Sequence, residues 1–275
     1  MPSNNPAFRG LGTGNGQQYP GWGAQPQQYG APGQYGAPTQ HDPYAAPSPY
    51  AATTTRYLTM DDVVVKTGLT FLVTVLAAAA TWALIPNTMA VALLLPALIV
   101  GLVLGLVITF KQVANPAATL AYAAVEGVLV GAISEFFAEY YGTSIVTQAV
   151  IGTFGVFVGM LVVYKTGAIR VTPKLTRWIV GALFGVLALM IVNLVASFIT
   201  PGGLGLRDGG PLAIGFSLLV IGVAAFSLLL DFDMADEAIR RGAPAKFAWY
   251  IAFGLLVTVV WLYLEMLRLL SYFRE

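Results

Sequence analysis

The sequence has no cysteine, and its only histidine is His41. The first absence excludes disulfides, thiolate metal sites and cysteine nucleophiles. The second removes the commonest general base from every part of the chain beyond its N-terminal region. Charge is scarce as well: Asp, Glu, Lys and Arg make up 10% of the 275 residues, against roughly 25% in a soluble domain. The formal net charge is +1, and no long basic run is present, so nucleic acid is not an expected partner. The first 56 residues also lack a charged stretch followed by an apolar one, the pattern of a secretory leader. What the chain has in quantity is apolar surface, with 57% hydrophobic residues and a mean hydropathy of +0.74. This is the composition of an all-α polytopic membrane protein whose first partner is the lipid bilayer.

Two regions differ sharply. Residues 1–56 are rich in Gly, Gln, Pro and Tyr, and Gln28-Tyr-Gly-Ala-Pro32 recurs as Gln34-Tyr-Gly-Ala-Pro38. Such a segment cannot bury enough apolar area to offset its ordering entropy, so it reads as a disordered tail. Residues 57–275 read as the membrane domain. Thr59 followed three residues later by Asp62 resembles a capping box and opens the first helix. Apolar runs at about 67–85, 89–110, 117–138, 145–164 and 178–199 follow, a sixth starts at Pro211, and a seventh starts near Pro244 or later. Each is close to the ~20 residues that cross a ~30 Å hydrocarbon core, which gives seven spans. Pro96 marks an expected kink in the second.

The loops set the orientation. Arg56, Lys66, Lys111, Lys165, Arg170, Lys174, Arg177, Arg240, Arg241 and Lys246 fall on one side, while the other has only Arg207, Arg268 and Arg274. By the positive-inside rule the N-terminus is cytoplasmic and the C-terminus outside. Spans two to five each carry Gly-x-x-x-Gly, at Gly101/Gly105, Gly127/Gly131, Gly155/Gly159 and Gly181/Gly185. Small residues four apart let helices approach closely, and four successive copies favour one compact bundle.

Against this background the intramembrane acids stand out, because ionisable groups in lipid are costly and default to a functional reading. Glu126 lies about ten residues into span three, ~15 Å along the helix and near mid-membrane. Its structural alternative is a hydrogen bond from Tyr122, Asn193 or another hydroxyl. Glu135 and Glu139 fall near the end of that span and read as interfacial. Asp231 and Asp233 sit in span six. Arg240-Arg241-Gly242-Ala243-Pro244 reads as a helix stop, with terminal cations, then Gly, then Pro, which leaves Asp231 inside the helix. Asp236 and Glu237 have Arg240 and Arg241 at ion-pair spacing, whereas Asp231 has only Met234 and Ala235 at those offsets. Glu265, in span seven, has Arg268 at i+3.

Enzymatic readings fare poorly, and no cofactor is expected. The Gly-x-Gly-Asp of intramembrane aspartyl proteases is missing, no histidine is available to a membrane serine nucleophile, and His-Glu-x-x-His is absent. An organic-solute carrier has no binding motif to support it.

Several stretches together resemble the transmembrane Bax inhibitor motif family, in its bacterial, actinobacterial branch. They are Ser3-Asn-Asn-Pro-Ala-Phe8, Ala121-Tyr-Ala-Ala-Val-Glu126-Gly127, Gln148 to Thr153 with Phe157, Tyr164 with Pro173-Lys-Leu-Thr176, and Leu262-Tyr263-Leu264-Glu265. The resemblance spans about residues 59–273. It implies six helices around a central C-terminal one, in a bacterial plasma membrane, and a pH-sensitive calcium leak gated by a carboxylate pair. Carried over by position, the pair is Asp231 with Glu265, which would also be transient calcium ligands, and Asp233 competes with Asp231 because it follows Phe232. Helical counting is awkward for that pair. With the turn at Ala243, a straight antiparallel partner of Asp231 lies near Leu255, about ten residues or ~15 Å short of Glu265. Either a separate piece at 245–253 delays span seven until Gly254, or Asp231 pairs instead with Glu126. Two carboxylates close together in low dielectric cannot both ionise cheaply, so a shared proton would close the path and its loss would admit a hard cation. The rival expectation is a non-conducting regulator that binds other membrane proteins, such as membrane proteases.

Overall fold

A computed structural model describes residues 56–85 and 87–274, without the side chains of 87–91. The segment 1–55, read above as a disordered tail, lies outside the described residues. Seven helices follow in order: α1 (Met60–Leu84), α2 (Asn87–Lys111), α3 (Pro116–Tyr141), α4 (Ser144–Thr166), α5 (Pro173–Ser197), α6 (Pro211–Arg240) and α7 (Ala248–Ser271). All seven are long and apolar enough to cross a membrane, and the described residues contain no strand. The protein is a multi-pass membrane protein.

The helix ends are written in the sequence. The Thr59 side chain accepts from the Asp62 amide at the start of α1, Asn115 and Thr172 cap α3 and α5, and proline occupies the first turn of α3, α5 and α6. Pro96 lies inside α2, as expected. Span five begins five residues earlier than its apolar run, because Thr172 and Pro173 provide the cap and first turn. Gly242, with φ 66°, ends α6, and the Ala243 amide returns to the Ala238 carbonyl at 3.0 Å. The segment before α1 fastens this turn: Leu58 donates to the Ala243 carbonyl and Ala245 donates to that of Arg56, both at 2.8 Å. Lys66 adds a 2.7 Å bond to the Ala245 carbonyl.

Helix α7 is the centre of the bundle. It packs on α1, α3, α4 and α6, and 56% of its span is buried, against 11% for α2 and for α5. α2 and α5 lie outside, chiefly against α3 and α6 respectively.

Only some of the glycine pairs are packing surfaces. At Gly127 an added methyl would stand 2.5 Å from the Thr74 carbonyl oxygen, and at Gly131 it would stand 2.6 Å from that of Ala78. These two residues therefore let α1 and α3 touch backbone to backbone, where the Thr74 hydroxyl crosses to the Ala123 carbonyl at 3.2 Å. At Gly101 an added methyl would stand 3.4 Å from a Glu126 carboxylate oxygen, and at Gly105 3.4 Å from the Tyr122 ring. Gly155, Gly159, Gly181 and Gly185 meet nothing within 4 Å, so the pairs on α4 and α5 do not hold the bundle together.

Gly127→Leu is expected to cost about 3 kcal/mol or more through overpacking at the α1–α3 crossing, whereas Gly181→Leu changes stability by less than about 0.5 kcal/mol. Thermal unfolding of the two purified variants in detergent measures the difference.

Candidate functional site

Asp231 lies nine residues before the end of α6, and its environment is set by α7. The Thr258 hydroxyl donates to Asp231 Oδ2 at 2.7 Å. Gly254, one turn earlier on α7, leaves the space beside the other oxygen: a methyl there would be 3.8 Å from Asp231 Oδ1. α7 begins at Ala248, after only a three-residue 3-10 turn at Ala245–Phe247. Span seven is therefore not delayed to Gly254, and Asp231 sits level with 254–258, where straight antiparallel counting puts it.

Glu126 comes to the same place from α3. It is half-buried and takes a hydrogen bond from Tyr122, one turn before it on the helix. Glu126, Tyr122, Asp231 and Thr258 line one cavity of about 510 Å³, together with Tyr250 and Phe253 of α7 and with Leu98, Leu102 and Leu106 of α2. No Lys, Arg or His lines it. Among the described residues neither Glu126 nor Asp231 has a salt-bridge partner. The alternative partner for Glu126, Asn193, does not line this cavity; its Oδ1 accepts from the Leu204 amide at 3.0 Å.

Glu265 belongs to a different cluster. It lies seven residues beyond Thr258, ~10 Å further along α7, and is 2% exposed. Ser217 of α6 donates to its Oε1 at 2.9 Å, while Arg207 and Arg268 each stand 3.6 Å from Oε2. The Arg207 guanidinium also lies 6.0 Å from the Phe216 ring centre. The arrangement expected from position, Asp231 with Glu265 as one carboxylate pair and calcium ligand set, is thus not the one this structure forms: the carboxylate sharing a cavity with Asp231 is Glu126. The physical reason is register, since an early start to α7 carries Glu265 past Asp231 toward the α5–α6 loop.

Asp233 faces away from the cavity, in a polar group with Tyr164, Asp236 and Arg240. Within that group Tyr164 donates to Asp236 Oδ2 at 2.7 Å. Glu237 takes both local arginines, at 3.2 Å from Arg240 and 2.6 Å from Arg241. Glu135, expected at the interface, is packed within the protein, 8% exposed, with its Oε2 lacking a hydrogen-bond partner among the described residues.

Arg207, Ser217 and Thr258 had no place in the sequence-based site. Thr258 was within reach of register counting, being three residues from the expected position. Arg207 could be found only as the one cation in a loop whose Gly202, Gly203, Gly205 and Gly209 all take positive φ and fold it back.

A family model described as Bax inhibitor 1 like matches residues 5–275. No curated protein matches the chain.

The Glu265 cluster predicts a structural phenotype. Glu265→Ala leaves two guanidinium groups facing each other and is expected to cost about 3 kcal/mol. Arg207→Ala, which leaves Arg268 in place, should cost less. Detergent melting curves of both variants against the wild type measure the order.

Proposed function

We propose that this chain, which belongs to the Bax inhibitor 1 like family, is a pH-sensitive calcium leak whose cation path runs past Glu126 and Asp231. The observation that carries the reading is the shared cavity, with two carboxylates from different helices and no basic side chain to neutralise them. Opposed low-dielectric walls focus the field of such charges and raise the local cation concentration. The cavity lining offers carboxylate and hydroxyl oxygens, the donor chemistry a hard cation takes. Among the described residues no three acidic, cysteine or histidine side chains converge as a metal cage. Calcium, which takes six to eight oxygen ligands in a tight site, would therefore pass with much of its hydration shell and not reside.

The sign of the pH response follows from charge. Protonating the carboxylates removes the attraction, so flux falls on acidification and rises as pH increases. The positive-inside distribution supports an orientation in which the N-terminus and the α6–α7 turn are cytoplasmic. Glu265, already facing two arginines, supports the fold more directly than it supports the path.

A second reading, a non-conducting regulator of other membrane proteins, is favoured by one observation: Gly181 and Gly185 on the outlying α5 face open space. Deleting residues 1–50 tests whether partner co-purification and flux separate.

Calcium entry into proteoliposomes, followed at an acid and an alkaline pH, checks the leak. Glu126→Gln and Asp231→Asn are each expected to lower alkaline flux about tenfold and to flatten its pH dependence. Glu265→Gln should act on yield and stability first. Identical flux and pH response in all four proteins would sink the reading.

A further inference from the structure

We propose that the Glu126–Asp231 cavity is also a binding site for a hydrophobic organic ammonium ion, which enters sideways from the bilayer. The inference rests on the cation reading of this cavity and names a second class of cation for it.

The argument begins with the mismatch between the cavity and a metal ion. A hydrated divalent cation is polar on all sides, yet the space of about 510 Å³ is mostly walled by leucine, methionine, valine and aromatic side chains. Its polar side chains are few, Glu126 and Asp231 with the hydroxyls of Tyr122, Tyr250, Thr109 and Thr258, so the lining has an acidic part and an apolar part. A ligand that satisfies both parts carries a compact cation with N–H donors at one end and an apolar body at the other. The N–H groups would make charge-assisted hydrogen bonds to the carboxylates, which have no basic partner among the described residues.

The rings beside the acids add to this preference. Tyr122 and Phe253 meet edge to face with centroids 4.8 Å apart, and Tyr250 is 6.3 Å from Phe253. Aromatic faces attract an ammonium when its charge lies within about 6 Å of the ring centre. Both the carboxylates and the rings are available to one ligand, since all five side chains line the same cavity.

Access comes from the lipid side. Leu98, Leu102 and Leu106 of α2 and Val257 of α7 line the cavity and are also exposed on the bundle surface. An amphiphilic amine concentrates in the bilayer and so reaches this opening without first crossing the polar ends of the protein. A phospholipid headgroup would bring the same ammonium together with a phosphate. No basic side chain lines the cavity to receive that anion, which favours a free amine.

The test uses the full chain in phosphatidylcholine nanodiscs, with protein-free discs as the partition control. The probe is 2-phenylethylamine, compared by titration calorimetry with uncharged 2-phenylethanol and anionic 3-phenylpropanoate. Saturable binding of the amine is expected, about tenfold tighter than the alcohol, with no binding of the carboxylate. Glu126→Gln and Asp231→Asn should each weaken the amine about tenfold and leave the alcohol unchanged. Phosphatidylethanolamine in the discs tells the two sources apart, because competition identifies a headgroup and its absence a free amine.

A calcium-flux arm separates this inference from the one beneath it. Block of flux by the amine supports both. Carboxylate-dependent flux with no saturable amine binding overturns the organic-cation site and leaves the leak. Saturable, carboxylate-dependent amine binding without wild-type flux keeps the site and overturns the leak. Equal binding of amine and alcohol overturns the inference whatever the flux, and it remains readable if either variant folds poorly.

Discussion

A carboxylate inside a membrane bundle is costly unless a donor reaches it, and several acids of this chain are met by donors that the packing of the helices delivers. Asp231 is received by Thr258 of α7, Glu265 by Ser217 of α6 and by arginines from a loop and from α7, and Asp62 by Thr59, Arg56 and Lys66. The bonds from Thr258 to Asp231 and from Ser217 and Arg207 to Glu265 cross between segments that the apolar packing must already have placed to within about 0.5 Å. Leaving any of these oxygens unpaired in hydrocarbon would cost several kcal/mol. The acids therefore select among packings that lipid-like side chains alone would leave nearly equivalent.

Two devices make that placement possible. At the α1–α3 crossing, Gly127 and Gly131 remove the side chains that would hold the helices apart, and Thr74 ties them through the Ala123 carbonyl. At the other end of the bundle, the short Gly242 turn joins α6 to α7 with no slack, and the segment before α1 is bonded across it. With α6 and α7 locked in antiparallel register, Thr258 can only meet Asp231 and Ser217 can only meet Glu265. The position of each acid thus depends on a turn many residues away from it.

Much of this was legible in the residues. The seven spans, the Thr59 cap, the Pro211 start of α6 and its stop at Arg240 are local signals, carried by hydropathy and capping chemistry, and they hold. Counting from Ala243 placed the level of Asp231 near Leu255, between Gly254 and Thr258 where it is found. Position within a family motif pointed instead to Glu265, and it gave no account of register. The glycine pairs show the limit from the other direction. Four identical spacings behave in two different ways, because a Gly-x-x-x-Gly stripe specifies a surface that can be approached and not whether anything approaches it. Arg207 was invisible for a similar reason: its reach to Glu265 depends on a loop whose path is set by four positive-φ glycines and not by any periodicity.

The two acid sites on α6 and α7 are consequently of opposite electrostatic character although they lie only ~10 Å apart along α7. At Glu265, two guanidinium groups face one carboxylate, so the cluster carries net positive charge and repels a cation. At the Glu126–Asp231 cavity the carboxylates have no such counter-charge, and the field there is attractive whenever either is ionised. Two unit charges 10 Å apart interact by about 1.7 kcal/mol at an effective dielectric of 20, enough to change an occupancy more than tenfold. The two guanidinium groups at Glu265 thus raise the electrostatic potential on the α5–α6 loop side of the cavity. What the resemblance implied as one carboxylate pair is in three dimensions two sites of opposite electrostatic character. The difference between them is made by Arg207, a residue belonging to neither span.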